Sequence, residues 1–138
     1  MKTALDTNII SELLDATPKA QAVARRLASL HAQGPLVICG VVYAELHARP
    51  NTPRTLIDSF LQATGVTLDP EMNPAIWAEA GRANADHHAR KRAGGERGIR
   101  PVLPDFLIGA HALHRADRLF TLNPNDFGDF PALTVVTL

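Results

Sequence analysis

Apolar positions along the chain follow two rhythms. Ala4-Leu5 closes a short apolar run that ends at Asp6-Thr7-Asn8, whose short polar side chains cap helices, so residues 2–6 read as a strand feeding a helix over about 8–15. After Thr17-Pro18, Ala22, Val23, Leu27 and Leu30 recur at helical spacing, and Gly34-Pro35 closes that segment before the strand-like run Leu36-Val37-Ile38. Gly40 precedes a third helix through Leu46, and Pro50-Asn51-Thr52-Pro53 breaks the chain before a fourth over roughly Arg54–Ala63. Val66-Thr67-Leu68 is a further short strand. Pro74 opens a long helix through Ile76, Trp77, Ala80 and Ala83, while Pro101 and Pro104 bracket the start of another from Asp105 to Ala116. Arg118–Thr121 and Leu133–Val136 complete the strand candidates.

Short strands alternating with helices predict an α/β fold, a mainly parallel central sheet of about five short strands flanked by helices, in one domain spanning 1–138. In such open sheets ligands bind beyond the carboxyl ends of the strands, at the point where the strand order reverses. Asp6 and the segment after Thr121 fall at such ends.

A chain of 138 residues with 46% hydrophobic and 20% charged residues has the usual globular mix, which excludes a disordered or fibrous class. Fourteen basic and 14 acidic residues cancel, so a nucleic acid would have to be met by a local patch. Arg90, Lys91, Arg92, Arg97 and Arg100 form the one basic cluster, which reads either as a track for a phosphate backbone or as a solvated helix end. The single cysteine, Cys39, sits in an apolar run as a small buried hydrophobe, consistent with a reducing compartment. With no signal-like apolar stretch after Met1 and no run approaching a membrane span, a cytoplasmic location is expected.

Two acids fall where apolar residues belong. Asp105 shares a helical stripe with Ile108, Ala112 and Leu113, and Glu45 shares one with Val41 and Val42, so both carboxylates should turn inward. Desolvating unpaired carboxylates costs several kcal/mol each, and a cluster of them calls for a cation. An all-carboxylate set suits Mg²⁺ or Mn²⁺ rather than zinc. Each acid also has an ordinary reading: Asp6 as a helix cap, Asp105 as compensation of a helix dipole, Glu45 as a solvated acid or an ion pair with Arg49. Trp77 is expected in the core, and His87, His88, His111 and His114 as exposed or helix-packed residues rather than zinc ligands.

Four segments, taken in order, resemble the PIN-domain family, in particular the VapC-type toxin ribonucleases of toxin–antitoxin pairs. They are Leu5-Asp6-Thr7-Asn8-Ile9-Ile10-Ser11-Glu12-Leu13, Val41-Val42-Tyr43-Ala44-Glu45-Leu46, Pro104-Asp105-Phe106-Leu107-Ile108-Gly109-Ala110-His111-Ala112 and Thr121-Leu122-Asn123-Pro124-Asn125-Asp126-Phe127. The resemblance implies a PIN-like nuclease domain in which Asp6, Glu45 and Asp105 form the catalytic, metal-binding acids. Thr7, Asn8 and Ser11 would support them by hydrogen bonds. Asn123 stands where many relatives carry an Asp, so the fourth catalytic position is open between Asn123 and Asp126. The resemblance further implies Mg²⁺ or Mn²⁺ as cofactor, RNA as substrate, a homodimer and a cognate antitoxin. Two other functions remain open: a PIN domain that binds RNA or a partner without cutting, suggested by Asn123, and a phosphatase with Asp6 as nucleophile. The latter needs a second acid where this chain has Asn8.

Overall fold

The structure is a computed structural model and describes residues 1–94 and 101–138. In chain order the elements are β1 (Thr3–Leu5), α1 (Thr7–Leu14), α2 (Ala20–His31), β2 (Leu36–Cys39), α3 (Gly40–His47), α4 (Arg54–Thr64), β3 (Val66–Asp69), α5 (Pro74–Ala93), α6 (Leu103–Arg115), β4 (Arg118–Phe120) and β5 (Val135–Val136). A 3-10 helix, Pro124–Phe127, lies between the last two strands. The five strands form one sheet in the order β3-β2-β1-β4-β5, and every pairing is parallel. This is the expected α/β architecture, with the switch in strand order between β1 and β4.

The three inner strands are buried along their whole length, as strands covered by helices on both faces must be. Their side chains Ala4, Leu5, Val37, Ile38, Leu119 and Phe120 form the centre of a core that continues into Ile9 and Ile10 of α1, Val42 of α3 and Phe106 of α6. Cys39 is buried in that core. The edge strand β3 is fixed from outside the sheet. Asp69 at its end accepts hydrogen bonds from Arg115 Nε at 2.6 Å and pairs with His111 Nε2 at 3.0 Å, both on α6. Burial alone would raise the Asp69 carboxyl, but these two partners outweigh it and hold the group at about 2.

The sequence left the segment between β4 and β5 without an element, and the 3-10 helix there is held by packing from below. Phe127 and Phe130, both buried, lie over Gly109 of α6, where an added Cβ would stand 2.5 Å from Phe130 Cε2 and 3.2 Å from Phe127 Cδ1. Gly109 is therefore a contact surface for two aromatic rings. Trp77 is 51% exposed, against the expectation of a core residue. The buried stripe of α5 runs through Ile76, Ala80, Ala83 and His87, which turns the neighbouring Trp77 to the flank, where its indole N–H donates to Met72 O at 2.7 Å. Among the described residues no helix is long and apolar enough to cross a membrane.

Alanine is the better helix former by about 1 kcal/mol, yet at position 109 its methyl group would overlap a buried ring, a cost of roughly 1–3 kcal/mol. Gly109→Ala is expected to lower the midpoint of thermal or urea unfolding, and Phe130→Leu in that background to recover part of the loss. A rise in the midpoint of the single variant would show that the rings move aside freely.

Candidate active site

Three chain segments meet where β1 and β4 end. Asp6 follows β1 directly and serves as the N-cap of α1, its Oδ1 accepting the Thr7 N–H at 2.7 Å. Its other oxygen, Oδ2, accepts the Thr121 hydroxyl at 2.7 Å and the Asn8 side-chain amide at 3.2 Å. Asn8 in turn accepts the Leu122 N–H at 3.3 Å, and Thr121 Oγ1 accepts the Asn123 N–H at 3.0 Å. The end of β4 is thereby tied to the end of β1 through side chains, beyond the last ladder bond from Asp6 N to Phe120 O at 3.0 Å.

Glu45 reaches the same place from α3, where its Oε1 accepts the Thr7 hydroxyl at 2.6 Å. Asp105, 8% exposed, comes from the first turn of α6, and its Oδ2 accepts the Val102 N–H at 2.9 Å. The ordinary readings of Asp6 and Asp105 as residues that satisfy helix starts thus hold, and the same two side chains also face the cleft. The pairing of Glu45 with Arg49 does not form, because the Arg49 guanidinium is drawn to Asp15 at the end of α1.

Asp6, Thr7, Asn8, Ser11, Glu45, Asp105 and Asn123 line one cleft of about 250 Å³. Asp126 is not among its lining residues; it lies within the 3-10 helix and its backbone N–H donates to Asn123 O at 3.0 Å. Of the basic cluster, the Arg90 guanidinium pairs with Asp129, Lys91 is half-buried and Arg92 is exposed. Arg97 and Arg100 lie outside the described residues. His87 is buried against Asp129, its Nδ1 2.9 Å from the carboxylate, and His111 is buried against Asp69. His88 and His114 sit nearer the surface. Two residues escaped the sequence reading. Thr121, fully buried, is the donor that holds Asp6, and it was visible as the first residue of the fourth segment; Asp129 follows that segment and carried no signal.

Burial pushes the Asp6 carboxyl up from the ordinary 3.8 to about 6; hydrogen bonds from Thr121 and Thr7 pull it down, and the charges of Asp105 and Glu45 add to the rise. The cleft is thus a place where negative charge is crowded around Asp6. A hard divalent cation suits the oxygen chemistry of these donors. Among the described residues no three His, Cys, Asp or Glu side chains already stand around one point in ligating positions, so the carboxylates would have to turn inward to share an ion.

The chain is thus an α/β domain with an all-parallel sheet and an acid-lined cleft at its switch point. A family model described as the PIN domain matches residues 3–133, and the chain belongs to the PIN-domain family. No curated protein sequence matches the chain. Solved structures similar to it include VapBC2 from Rickettsia felis bound to a DNA fragment from their promoter, with a TM-score of 0.72 and 21% identity over 100% of this chain and 99% of that one. VapBC-1 from nontypeable Haemophilus influenzae aligns with a TM-score of 0.67 and 25% identity over 99% of this chain and 98% of that one. A toxin–antitoxin complex from Klebsiella pneumoniae aligns with a TM-score of 0.58 and 23% identity over 98% and 96% of the two chains.

Because the folded Asp6 holds its proton more tightly than an unfolded Asp, folding stability falls as pH rises from about 4 to above 6. A displacement of this size corresponds to about 3 kcal/mol, present in full below the unfolded value and lost above the folded one. Without divalent ions, Asp6→Asn is expected to melt above the parent at pH 8, with the margin closing near pH 4. An equal margin at both pH values would mean that the Asp6 charge is not what strains the fold.

Proposed function

We propose that this chain is a Mg²⁺- or Mn²⁺-dependent endoribonuclease, a nuclease domain over 1–138 that acts as the toxin of a toxin–antitoxin pair. The observation that carries the reading is the convergence of Asp6, Glu45 and Asp105 on one cleft with the Asp6 carboxyl displaced upward by burial and by its two acidic neighbours. Structural cross-bracing of helix starts needs no such convergence. Membership of the PIN-domain family and the likeness to chains of VapBC and toxin–antitoxin complexes agree with it.

In this reading Asp6, Asp105 and Glu45 hold the ion. When bound, a divalent ion supplies positive charge against the phosphate and lowers the pKa of a nearby water. The chain's own groups do the positioning. Thr121 and Asn8 fix the Oδ2 edge of Asp6, Thr7 fixes Glu45, and Ser11 completes the wall. Asn123 at the rim presents a neutral amide that can donate to a phosphate oxygen without the repulsion of another carboxylate. Asp126 takes part at one remove, by its backbone bond to Asn123. Lys91, Arg92, Arg97 and Arg100 would follow the RNA backbone, and Arg90, paired with Asp129, would face the RNA beside them. The partners are an RNA substrate, a cognate antitoxin and a second copy in a homodimer, in the cytoplasm. The phosphatase alternative is disfavoured because both Asp6 oxygens accept hydrogen bonds, and Asn8, where the second acid would stand, is one of the donors.

Purified protein should cleave a labelled RNA with Mg²⁺ or Mn²⁺ and lose the activity on chelation. Asp6→Ala and Asp105→Ala should each slow cleavage by at least about 100-fold, a loss of at least about 2.7 kcal/mol of barrier lowering. Added Mn²⁺ should raise the parent's melting temperature and leave that of Asp6→Ala unchanged. A folded Asp6→Ala protein that cuts at the parent's rate would sink the proposal, and a parent that binds RNA but never cuts would favour the binding module.

A further inference from the structure

Two residues beyond Asn123, on the same 3-10 segment, Asn125 lines a second cleft, of about 390 Å³, between that segment and the end of α5. Asn123 caps that 3-10 helix beside the acidic cleft and Asn125 lies inside it, so one short segment borders both clefts.

The second cleft is kept open by a glycine that nothing else requires. Gly128 has φ −63° and ψ −18°, a conformation any residue adopts, and a Cβ there would meet only Asn125 O, at 3.8 Å, an ordinary contact. Neither backbone strain nor packing accounts for a glycine at 128, whereas at 109 packing does. A side chain at 128 would take up cleft space instead.

The polar groups at the wall are built in. The Asp129 side chain is only 6% exposed and receives His87 Nδ1 at 2.9 Å together with the Arg90 guanidinium. Arg90 Nη2 pairs with Asp129 Oδ1 and the side chain is 62% exposed, so the rest of a planar, five-donor group stays accessible. Lys91, also at the wall, has a partner of its own. Asp129 offsets the charge of Arg90, which weakens its pull on an anion and leaves its geometry: two parallel N–H donors that match a pair of adjacent acceptors. Among the bases, guanine offers that pair at O6 and N7. The Asn125 amide adds a donor and an acceptor.

We propose that this cleft is a nucleobase subsite that reads a guanine next to the scissile phosphate, with Arg90 as the reading group and Asp129 as its positioning residue. The inference rests on the ribonuclease reading of the neighbouring acidic cleft, and it is tested by cleavage and by binding separately. Short random-sequence oligoribonucleotides cut by the parent should show guanine enriched roughly tenfold at one fixed position beside the cut. Gly128→Leu, which fills the cleft, and Arg90→Gln, which removes the fork, should both lose that enrichment. Independently of any cutting, the Asp6→Asn protein should bind a guanine-containing dinucleotide about tenfold more tightly than its adenine, cytosine or uracil counterparts. Adding Gly128→Leu should erase the difference. Base-selective binding without cleavage would defeat the ribonuclease reading and leave the subsite standing. Equal binding of all four bases, or a guanine preference that survives both variants, would overturn the subsite even if the protein cuts RNA.

Discussion

Burying a carboxylate beside two others at the end of a parallel sheet is the constraint around which this protein is organised. Asp6 sits where β1 stops, and desolvation there works against its charge. Its neighbours do not neutralise it; they hold it. Three hydrogen bonds, from Thr7, Asn8 and Thr121, satisfy its oxygens, and each donor belongs to a segment that must be in place for the cleft to exist. Thr7 extends the arrangement to Glu45 on α3. The arrangement crowds negative charge around Asp6, and that crowding gives the site its chemical character.

The sheet order explains why these groups can meet at all. With β1 between β2 and β4, the helices that follow β1 and β2 begin at neighbouring strand ends, and the first turn of α6 lines the same cleft. Asp6 and Asp105 each sit at the start of a helix, where a carboxylate already has local work to do, and Glu45 reaches the cleft from the second half of α3. Asp6 accepts from the first N–H of α1, and Asp105 from the N–H of Val102. The capping roles and the site roles are compatible because capping engages an edge of each carboxylate and leaves the rest of the group facing the cleft.

The segment from Thr121 to Phe130 is the other organising element. Below, Phe127 and Phe130 rest on the bare backbone of Gly109; above, Asn123 and Asn125 line two neighbouring clefts; and at its end Asp129 gathers His87 and Arg90 from α5. A glycine in the middle of a helix usually costs stability, but here it lets two rings approach and sets the height of the rim residues. The basic end of α5, read along the sequence as a run of charge, is in part a docking of α5 onto this rim.

Much of this was legible in the sequence because the signals are local. Helix periodicity, Pro and Gly punctuation and the acids out of place in apolar stripes are set by residues within a turn or two of each other. The six helices and the short strands could therefore be located from the sequence and Glu45 and Asp105 stood out, while the resemblance to the PIN-domain family joined them with Asp6 into one set. Local signals could not decide between a cap and a site for Asp6 and Asp105, since both readings use the same residue in the same place. Tertiary structure decided the rest. Arg49 turned to Asp15 rather than Glu45, and Trp77 fell on the flank of α5, because partner choice and helix rotation depend on what packs from elsewhere in the chain. Asn123 rather than Asp126 came to line the acidic cleft because the segment winds into a 3-10 helix over two phenylalanines. The convergence of three carboxylates has the same origin: the residues were written one by one along the chain, and only the parallel sheet, by bringing the ends of β1, β2 and β4 together, made their charges one electrostatic problem.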